Sequence, residues 1–588
     1  MTNLLYRRIP ALESLRNYGW PDARADFVAG LTVATVAVPQ AMAYGLAAGV
    51  GAEFGLYTAI VMTAVGALLD SSKQLINGPT NVISIAVLSA LAGFPPEHKV
   101  EGAIVLAFLV GSFQTAITLL RLGDLTRYIS HSVVVGFTAG ASLLLVLDQI
   151  RNLFGWASKG DPHDHFLVRL WATWSQGGIP NLPTVSIGLG TIGAILVVRR
   201  VKHRIGLPLL PELLLVVVGM ATLVWFLGLN EHGVAVVGHI PPKLPSFQVP
   251  QLDPEHVREL SGSAMAIATL GLLEALAMAK HIAAQTGQKL DLNQQCLSEG
   301  LANMTGSFFQ CIPGSGSLTR SAINQQAGAV TQWSGVFSAV AVALIVVLFA
   351  PLAQYVPKAA LAGLLIVSAF RMIDWWSLWF HLRATRFDTF IVLMTAVAAV
   401  AISVEFCILI GVFCSFLLAV PRAGRMTMTE FVVGADGIVH EREDGIYPVD
   451  ERVPIFGLEG ELFFGSSIAL EEHLSLISHR AAEVVVLRVK RVRNPDAVGL
   501  YELVVFMRQL QERGVRVILC GVRKDLLDGL RATGILDELD PDQVFSERSP
   551  KGTATIEAIR AAYAFLEQRD AATPRGATPT PSLSHFQD

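Results

Sequence analysis

The chain has 588 residues, of which 52% are hydrophobic and 16% charged, with a net charge of -4 and a mean hydropathy of +0.51. A soluble domain carries about 25% charge, so most of this chain is not a soluble protein. With no basic tract beyond one short loop, nucleic acid is not a partner. The deficit is uneven: apolar runs dominate from Phe27 to Val420 and charge returns from about Pro421 onward. That shift predicts a membrane domain followed by a cytoplasmic one.

Residues 1–26 read as a cytoplasmic segment, with Arg7, Arg8, Arg16 and Arg24 among Glu13, Asp22 and Asp26 and no cleavable signal. A span needs roughly 20 apolar residues. In the first half the candidates are 27–47, 54–70, 79–94, 100–120, 131–150, 185–198 and 208–229. In the second they are 263–284, 293–310, 316–328, 334–350, 358–373, 387–402 and 404–420. The membrane domain, 27–420, thus divides into repeats over about 27–229 and 263–420. An odd number of spans per half sets the halves in opposite orientations, as inverted repeats require.

The third candidate of each half is short and broken by Gly and Pro: INGPTNVISIAVLSAL from Ile76, and CIPGSGSLTRSAINQQAG from Cys311. Paired interrupted segments in corresponding places point to a transporter's binding site. A half-helix that begins inside the membrane aims unpaired N–H groups and a positive dipole end at its ligand, which suits an anion. Asn77 to Thr80 open one half-helix, and Gly314 to Arg320 the other. Glycines allow close backbone approach and hydroxyls supply donors. Arg320 either binds the anion or sets the potential of its cavity. Asn77 and Ser317 could equally serve as helix caps, which use the same N–H groups.

The positive-inside rule agrees with an N-terminus inside. The loop after the sixth span holds Arg199, Arg200, Lys202 and Arg204; Arg121 and Arg127 follow the fourth, Arg371, Arg383 and Arg386 the twelfth, and Arg422 and Arg425 the last. The loop from Asn230 to Gly262 is instead acidic, with Glu231, Asp253, Glu255 and Glu259. Trp171, Trp174, Trp375, Trp376 and Trp379 lie near span ends, where interfacial aromatics anchor.

Within the first span, Gln40 and Tyr44 share a helix face. A Gln amide in hydrocarbon needs a partner or a wet cavity, so Gln40 either joins two helices or lines a site. Glu274 lies near the centre of the eighth span. An intramembrane carboxylate is a functional hypothesis by default. Ionised, it repels an anion; protonated, it does not, which gives a route to proton–anion symport. The competing role is a salt bridge with Arg320. Gln295, Glu299 and Glu405 read as exposed or interfacial polar positions.

Residues 421–450 read as a linker, 451–570 as an α/β domain of strands alternating with helices, and 571–588 as a disordered tail. No phosphate loop, nucleophile elbow or metal motif occurs, so the chain has no enzyme signature, cofactor or metal site. The five cysteines, Cys296, Cys311, Cys407, Cys414 and Cys520, read as buried free thiols.

Several of these segments resemble the SulP (sulfate permease) family of anion transporters. DFVAGLTVATVAVPQAMAYGLAAGVGAEFGLYTA resembles the family's first-span signature and SSKQLINGPTNVIS its third-span opening. LNQQCLSEGLANMTGSFFQCIPGSGSLTRSAIN resembles its ninth-to-tenth-span region, and the C-terminal part resembles a STAS domain. The resemblance implies a polytopic α-helical membrane protein with a seven-plus-seven inverted repeat, an α/β STAS domain, a homodimer, and an anion held between the third and tenth half-helices. By position it implies site roles for Gln40, Tyr44, Thr80, Ser317, Leu318, Thr319 and Arg320, and a coupling role for Glu274.

Three departures bear on mechanism. Sodium–bicarbonate members carry Asp on the eighth span with Thr four residues on; here Glu274 is followed by Met278, which disfavours sodium and favours protons. The family's NQE in the ninth span is Asn293, Gln294, Gln295 here. The phosphorylatable Ser of regulatory STAS domains is missing from Asn494 to Gly499. The expected function is therefore proton-coupled transport of a small inorganic anion, sulfate first, across the plasma (inner) membrane, with the N-terminus and STAS domain cytoplasmic. The alternatives are a bicarbonate or dicarboxylate carrier or exchanger of the same fold, and a membrane-tethered module whose STAS domain binds a partner.

Overall fold

A computed structural model describes residues 9–572, except 121–129, 161–163, 207–210, 434–438, 443–450, 479 and 548–552. Arg7, Arg8, Arg121, Arg127 and the expected tail beyond 572 fall outside the described residues. The chain divides into two compact units, Met1–Ser415 and Phe416–Asp588.

Every segment expected to span the membrane holds a helix, the last of which runs past Ser415 into the second unit. The first half contains α1 (Trp20–Ala47), α2 (Ala52–Leu69), β1 (Asn77–Gly78), α3 (Asn81–Ala90), α4 (Lys99–Leu119), α5 (His131–Phe154), α6 (Phe166–Gln176), α7 (Leu182–Ile205) and α8 (Glu212–Phe226). The second contains α9 (Pro254–Thr286), α10 (Leu292–Ser307), β2 (Ser315–Gly316), α11 (Leu318–Gln326), α12 (Trp333–Ala353), α13 (Lys358–Met372), α14 (Trp375–Ala384), α15 (Arg386–Ala401) and α16 (Val404–Ala423). Among the described residues, eight helices are long and apolar enough to cross a membrane, or nine if the bent pair α13–α14 counts as one span; α3 and α8 are shorter and apolar.

The element order recurs: two long helices, a two-residue strand, a half-helix, two more helices, a short helix rich in Trp, then two last helices. The two short helices, α6 and α14, are additions that apolar-run reading misses, because neither is an apolar run of spanning length. They carry Trp171, Trp174, Trp375, Trp376 and Trp379, all exposed, so these anchors sit on separate short helices rather than on the spans. Asp253, Asp291 and Asn181 cap α9, α10 and α7 through their side chains. These caps place the starts of the spans at polar boundaries.

The second unit is a six-stranded sheet in the order β4-β3-β5-β6-β7-β8, with β3 Thr427–Val433, β4 Val439–Glu441, β5 Ile455–Glu461, β6 Val484–Arg493, β7 Arg516–Val522 and β8 Val544–Ser546. Strands β5 to β8 pair in parallel, while β3 pairs antiparallel with β4 and β5. Helices α17 (Ser467–Ser478), α18 (Ala497–Glu512) and α19 (Lys524–Ala532) cover one face, and α20 (Thr553–Ala572) the other. Parallel strands buried on both faces read as continuous apolar runs, as VVVL in β6 does. The segment 421–450, read as a linker, is corrected here: its polar composition hides β3 and β4, which extend the sheet at one edge. Asp496 caps α18 by accepting the Gly499 N–H at 2.8 Å and also accepts the Phe464 N–H at 2.8 Å. The stretch that lacks the hydroxyl is therefore a built turn.

Candidate functional site

Strands β1 and β2 pair antiparallel, Asn77 opposite Gly316 and Gly78 opposite Ser315. Each leads straight into its half-helix, so α3 and α11 begin at one place in the interior. Side chains from neighbouring helices fix this crossing. The Thr63 hydroxyl of α2 donates to the Asn77 carbonyl. Asn303 of α10 clamps Gly314, accepting its N–H at 2.9 Å and donating to its carbonyl at 3.1 Å. Ser315 donates to the Gly271 carbonyl of α9 at 2.7 Å.

The first N–H groups of a helix have no intrahelical acceptor. At α3, Thr80 is the cap residue, its hydroxyl 3.5 Å from the Ile83 N–H. At α11, Ser317 stands in the same relation to the Arg320 N–H, also at 3.5 Å. Both caps are stretched, and neither reaches the first two N–H groups of its helix. A developing or bound negative charge between the two starts gains from both dipole ends.

Arg320 is fully buried. Its Nη2 donates to the Pro79 carbonyl at 2.9 Å, while Nε and Nη1 have no partner. Gly78 (φ +146°) gives the guanidinium room, since a Cβ there would lie 2.9 Å from Nη1. Glu274 sits half-buried on α9, and its carboxylate accepts the Thr80 hydroxyl at 3.0 Å. No ion pair within 4 Å joins Glu274 to Arg320 among the described residues, so the salt-bridge alternative is absent. Gln40 and Tyr44 are buried on α1, and Gln40 Oε1 has no partner. Tyr44 lies within electrostatic reach of Arg320, Glu274 and Arg371. Leu318 is 44% exposed and Thr319 half-buried, so the start of α11 opens onto the accessible side of the site. The structure therefore brings Tyr44, Thr80, Glu274 and Arg320 of α11 close to one another, with Gln40 buried one turn before Tyr44 on α1.

Other features escape sequence reading. Arg371, used above only for orientation, is a second cation near Tyr44. Asn81, at the first position of α3, is buried with Oδ1 unpartnered. Gln295 and Glu299, expected as exposed or interfacial, are both fully buried, because α10 is packed among α2, α4 and α9. The signal was present: 295, 299 and 303 are polar at helical spacing within an apolar segment. Glu405 has a side chain outside the described residues. Of the cysteines, four are buried and Cys414 is half-buried. Met278 packs with Leu75 and Ile282, so that turn offers apolar contact where a ligand oxygen would be needed.

A cleft of about 850 Å³ lies nearby, bounded by α1, α8 and α12 and lined by residues such as Val38, Pro39, Met42, Trp225 and Phe349. Among the described residues no charged side chain lines it, so these residues do not replace the water lost by an anion.

A sequence profile of the sulfate permease family matches residues 24–395, and one of the STAS domain matches 446–549. The chain belongs to the sulfate permease family. Sulfate transporter 2.1 of Arabidopsis thaliana is 28% identical over 571 residues, covering 91% of this chain and 83% of that protein. The chloroplastic Sulfate transporter 4.1 of the same plant is 27% identical over 568 residues, covering 91% and 81%. The fold is that of murine Solute Carrier 26 family member A9, an anion transporter solved in the inward-facing state (TM-score 0.85, 19% identity, 96% and 95% of the two chains). The transmembrane domain of the cyanobacterial bicarbonate transporter BicA shares it over 68% of this chain and 98% of that one (TM-score 0.58, 24% identity). As a member of this family the chain is a transporter and not an enzyme.

Proposed function

We propose that this chain is a secondary active transporter of a small inorganic oxyanion, sulfate first, that binds the anion between the starts of α3 and α11. One observation carries the reading: a fully buried Arg320 with unpartnered N–H donors lies where two half-helices present their N-terminal ends. An oxyanion has acceptors for all of these donors, and a dry site strengthens each bond. Gln40, Tyr44, Thr80, Ser317, Leu318 and Thr319 complete the binding wall. Relatives named sulfate transporters favour sulfate over other oxyanions.

Glu274 couples transport to protons. Its carboxylate shares Thr80 with the wall, so an ionised Glu274 opposes an anion there and a protonated one does not. Met278 removes the oxygen that a sodium site would use next to it. The transporter is a symporter, sits as a homodimer in the plasma (inner) membrane, and carries its N-terminus and STAS domain in the cytoplasm, where the STAS domain is free to meet a partner.

The test is labelled sulfate uptake into proteoliposomes with and without an inward proton gradient, in the presence of unlabelled bicarbonate, fumarate or chloride. Uptake that follows the gradient and resists the competitors supports the proposal. Flux of a competitor without sulfate flux keeps the site and overturns the substrate. Glu274→Gln uptake that remains intact and pH-dependent overturns the coupling role.

A further inference from the structure

Behind the binding site lies a second group of buried acids. Asp70, the residue that ends α2, is fully buried, as are Gln295 and Glu299 of α10. The Asp70 carboxylate accepts the Gln295 amide at 2.6 Å and the Asn77 amide at 3.2 Å. The Gln295 carbonyl accepts the Ser72 N–H at 3.1 Å, which fixes the amide so that its NH2 must face Asp70. Asp70 thus has the donors that an ionised carboxylate requires.

Glu299 has none. Both of its carboxylate oxygens are buried without a hydrogen-bond partner. Its electrostatic neighbours are two further acids, Asp70 and Glu274, and the Gln295 amide, whose NH2 is held by Asp70. Among the described residues no cation acts on Glu299: its charged neighbours are Asp70 of α2 and Glu274 of α9, and where α4 meets α10 on either side of it the contacts are neutral, Thr115 at Gly300 and Gln114 at Asn303. The buried Asp26 shows the contrast, since its carboxylate accepts the Val330 N–H, the Thr331 N–H, the Thr331 hydroxyl and the Tyr18 hydroxyl. A buried ionised carboxylate with neither donors nor a cation is far too costly to persist, and of two neighbouring buried acids one holds a proton.

We propose that Glu299 is a second proton-carrying side chain, standing between Glu274 at the anion site and Asp70 at the end of α2. The steps balance with one proton and no electrons. Glu299 gives its proton to the Asp70 carboxylate, which releases it to water past exposed Lys73. The emptied Glu299 then takes the proton of Glu274, leaving Glu274 ionised to expel the anion. The end of α2 lies on the same side as the start of α1, because these two helices form a hairpin. The proton and the anion therefore leave on the side that holds the N-terminus. This relay rests on the coupling role of Glu274 proposed above.

The experiment uses the full-length protein in proteoliposomes, with sulfate-driven proton entry followed by a trapped pH dye and labelled sulfate exchange followed in parallel. Equilibrium exchange needs no net proton movement. Glu299→Gln is expected to keep exchange within about two-fold of wild type and to lose at least about ten-fold of the proton entry. Adding Gln295→Glu returns an acid to the same helix face one turn away and is expected to restore proton entry, which a purely structural role does not predict. The infrared band of a dry, protonated carboxylic acid is expected in wild type and absent in Glu299→Gln. An unchanged band, or a lost band with proton entry intact, overturns the relay. Proton entry lost in Glu274→Gln but kept in Glu299→Gln overturns the relay and spares the coupling role of Glu274. Wild-type sulfate flux without proton entry overturns that coupling role, while the band still reports the proton on Glu299.

Discussion

The two units treat charge in opposite ways. In the membrane unit, charged and amide groups are buried with atoms left unpaired: Arg320 Nε and Nη1, both oxygens of Glu299, Gln40 Oε1 and Asn81 Oδ1. In the STAS unit the core is apolar on both faces of the sheet, fewer polar atoms are buried unpaired (Glu430 Oε1, Arg488 Nε and Arg516 Nε), and charges meet in ion pairs at the surface. Arg452 bridges Glu483 and Asp570, Arg508 meets Glu538, and Arg516 meets Asp540 and Asp542. Unpaired buried polar atoms cost stability, so their concentration in one unit marks where function outweighs stability. Substitutions there should change flux more than folding, and substitutions in the STAS unit the reverse.

The largest expected effect comes from Arg320→Gln. Charge-assisted hydrogen bonds contribute roughly 1.5–3 kcal/mol each, and about 1.4 kcal/mol is a factor of ten. Half-saturating sulfate should therefore rise by about 10- to 100-fold, measured as uptake against concentration. Yield and thermal stability should hold, since the substitution removes a buried charge with two unpaired donors. A protein that loses its fold instead would break the contrast between the units.

Next come the two caps. Thr80→Val and Ser317→Ala each remove a helix cap, worth about 1 kcal/mol. Only Thr80→Val also takes away the donor to Glu274. Uptake should fall roughly five-fold in Ser317→Ala and by another factor of about ten in Thr80→Val, and only Thr80→Val should alter the pH profile of uptake. Equal losses with equal pH profiles would show that the two half-helices are chemically equivalent despite their different neighbours.

That asymmetry explains how far the sequence could be read. The half-helices, the Ser317 cap and the burial of Gln40 follow from local patterns: Gly and Pro before a short apolar run, a hydroxyl at its start, an amide within a span; the other cap is Thr80 rather than Asn77, whose amide donates to Asp70 instead. Glu274 was legible for the same reason. Glu299 stands in a polar stripe with Gln295 and Asn303, a pattern that fits a helix face turned to water as well as one buried against three other helices, so its burial waits on the packing of α10. Arg371 likewise reads as a boundary cation until α13 is placed beside Tyr44. In the STAS unit, β6 and β7 were legible as apolar runs, while β3 and β4 lie at the sheet edge among polar residues and carry no such run.

Smaller effects belong to the STAS unit. Burial pushes the Cys520 thiol up to about 12, so in the folded domain it is inert at neutral pH and its alkylation reports opening. Hydrogen bonds that Arg452 donates to Asp570 and Glu483 push its guanidinium up. Because a raised cation contributes below its unfolded value and loses that contribution only as pH climbs through the folded one, this effect is flat across neutral pH. Arg452→Met should destabilise the domain by about 0.5–1 kcal/mol, read by site-resolved mass spectrometry as a two- to five-fold faster labelling of Cys520 in the full chain, with sulfate uptake unchanged. Uptake that falls in step with labelling would tie transport to STAS stability and erase the division of labour.

The smallest effect, and the one with the sharpest sign, is at Arg508 and Glu538. Arg508 Nε donates to Glu538 Oε2 at 3.0 Å on an exposed surface. Hydrogen bonding to Arg508 holds the Glu538 carboxyl below its ordinary range, and the same contact pushes Arg508 up. A lowered acid contributes stability above its unfolded value and loses it as pH falls through the folded one, while the raised guanidinium titrates only in strong alkali. Arg508→Met should therefore lower the STAS unfolding temperature slightly at neutral pH, by calorimetry of the full chain in detergent, and the gap from wild type should close on acidification. Exposure keeps the effect small and sensitive to salt. A gap that widens at low pH would mean that Glu538 is better placed unpaired than paired, and the surface of this unit would then share the unpaired character of the membrane interior.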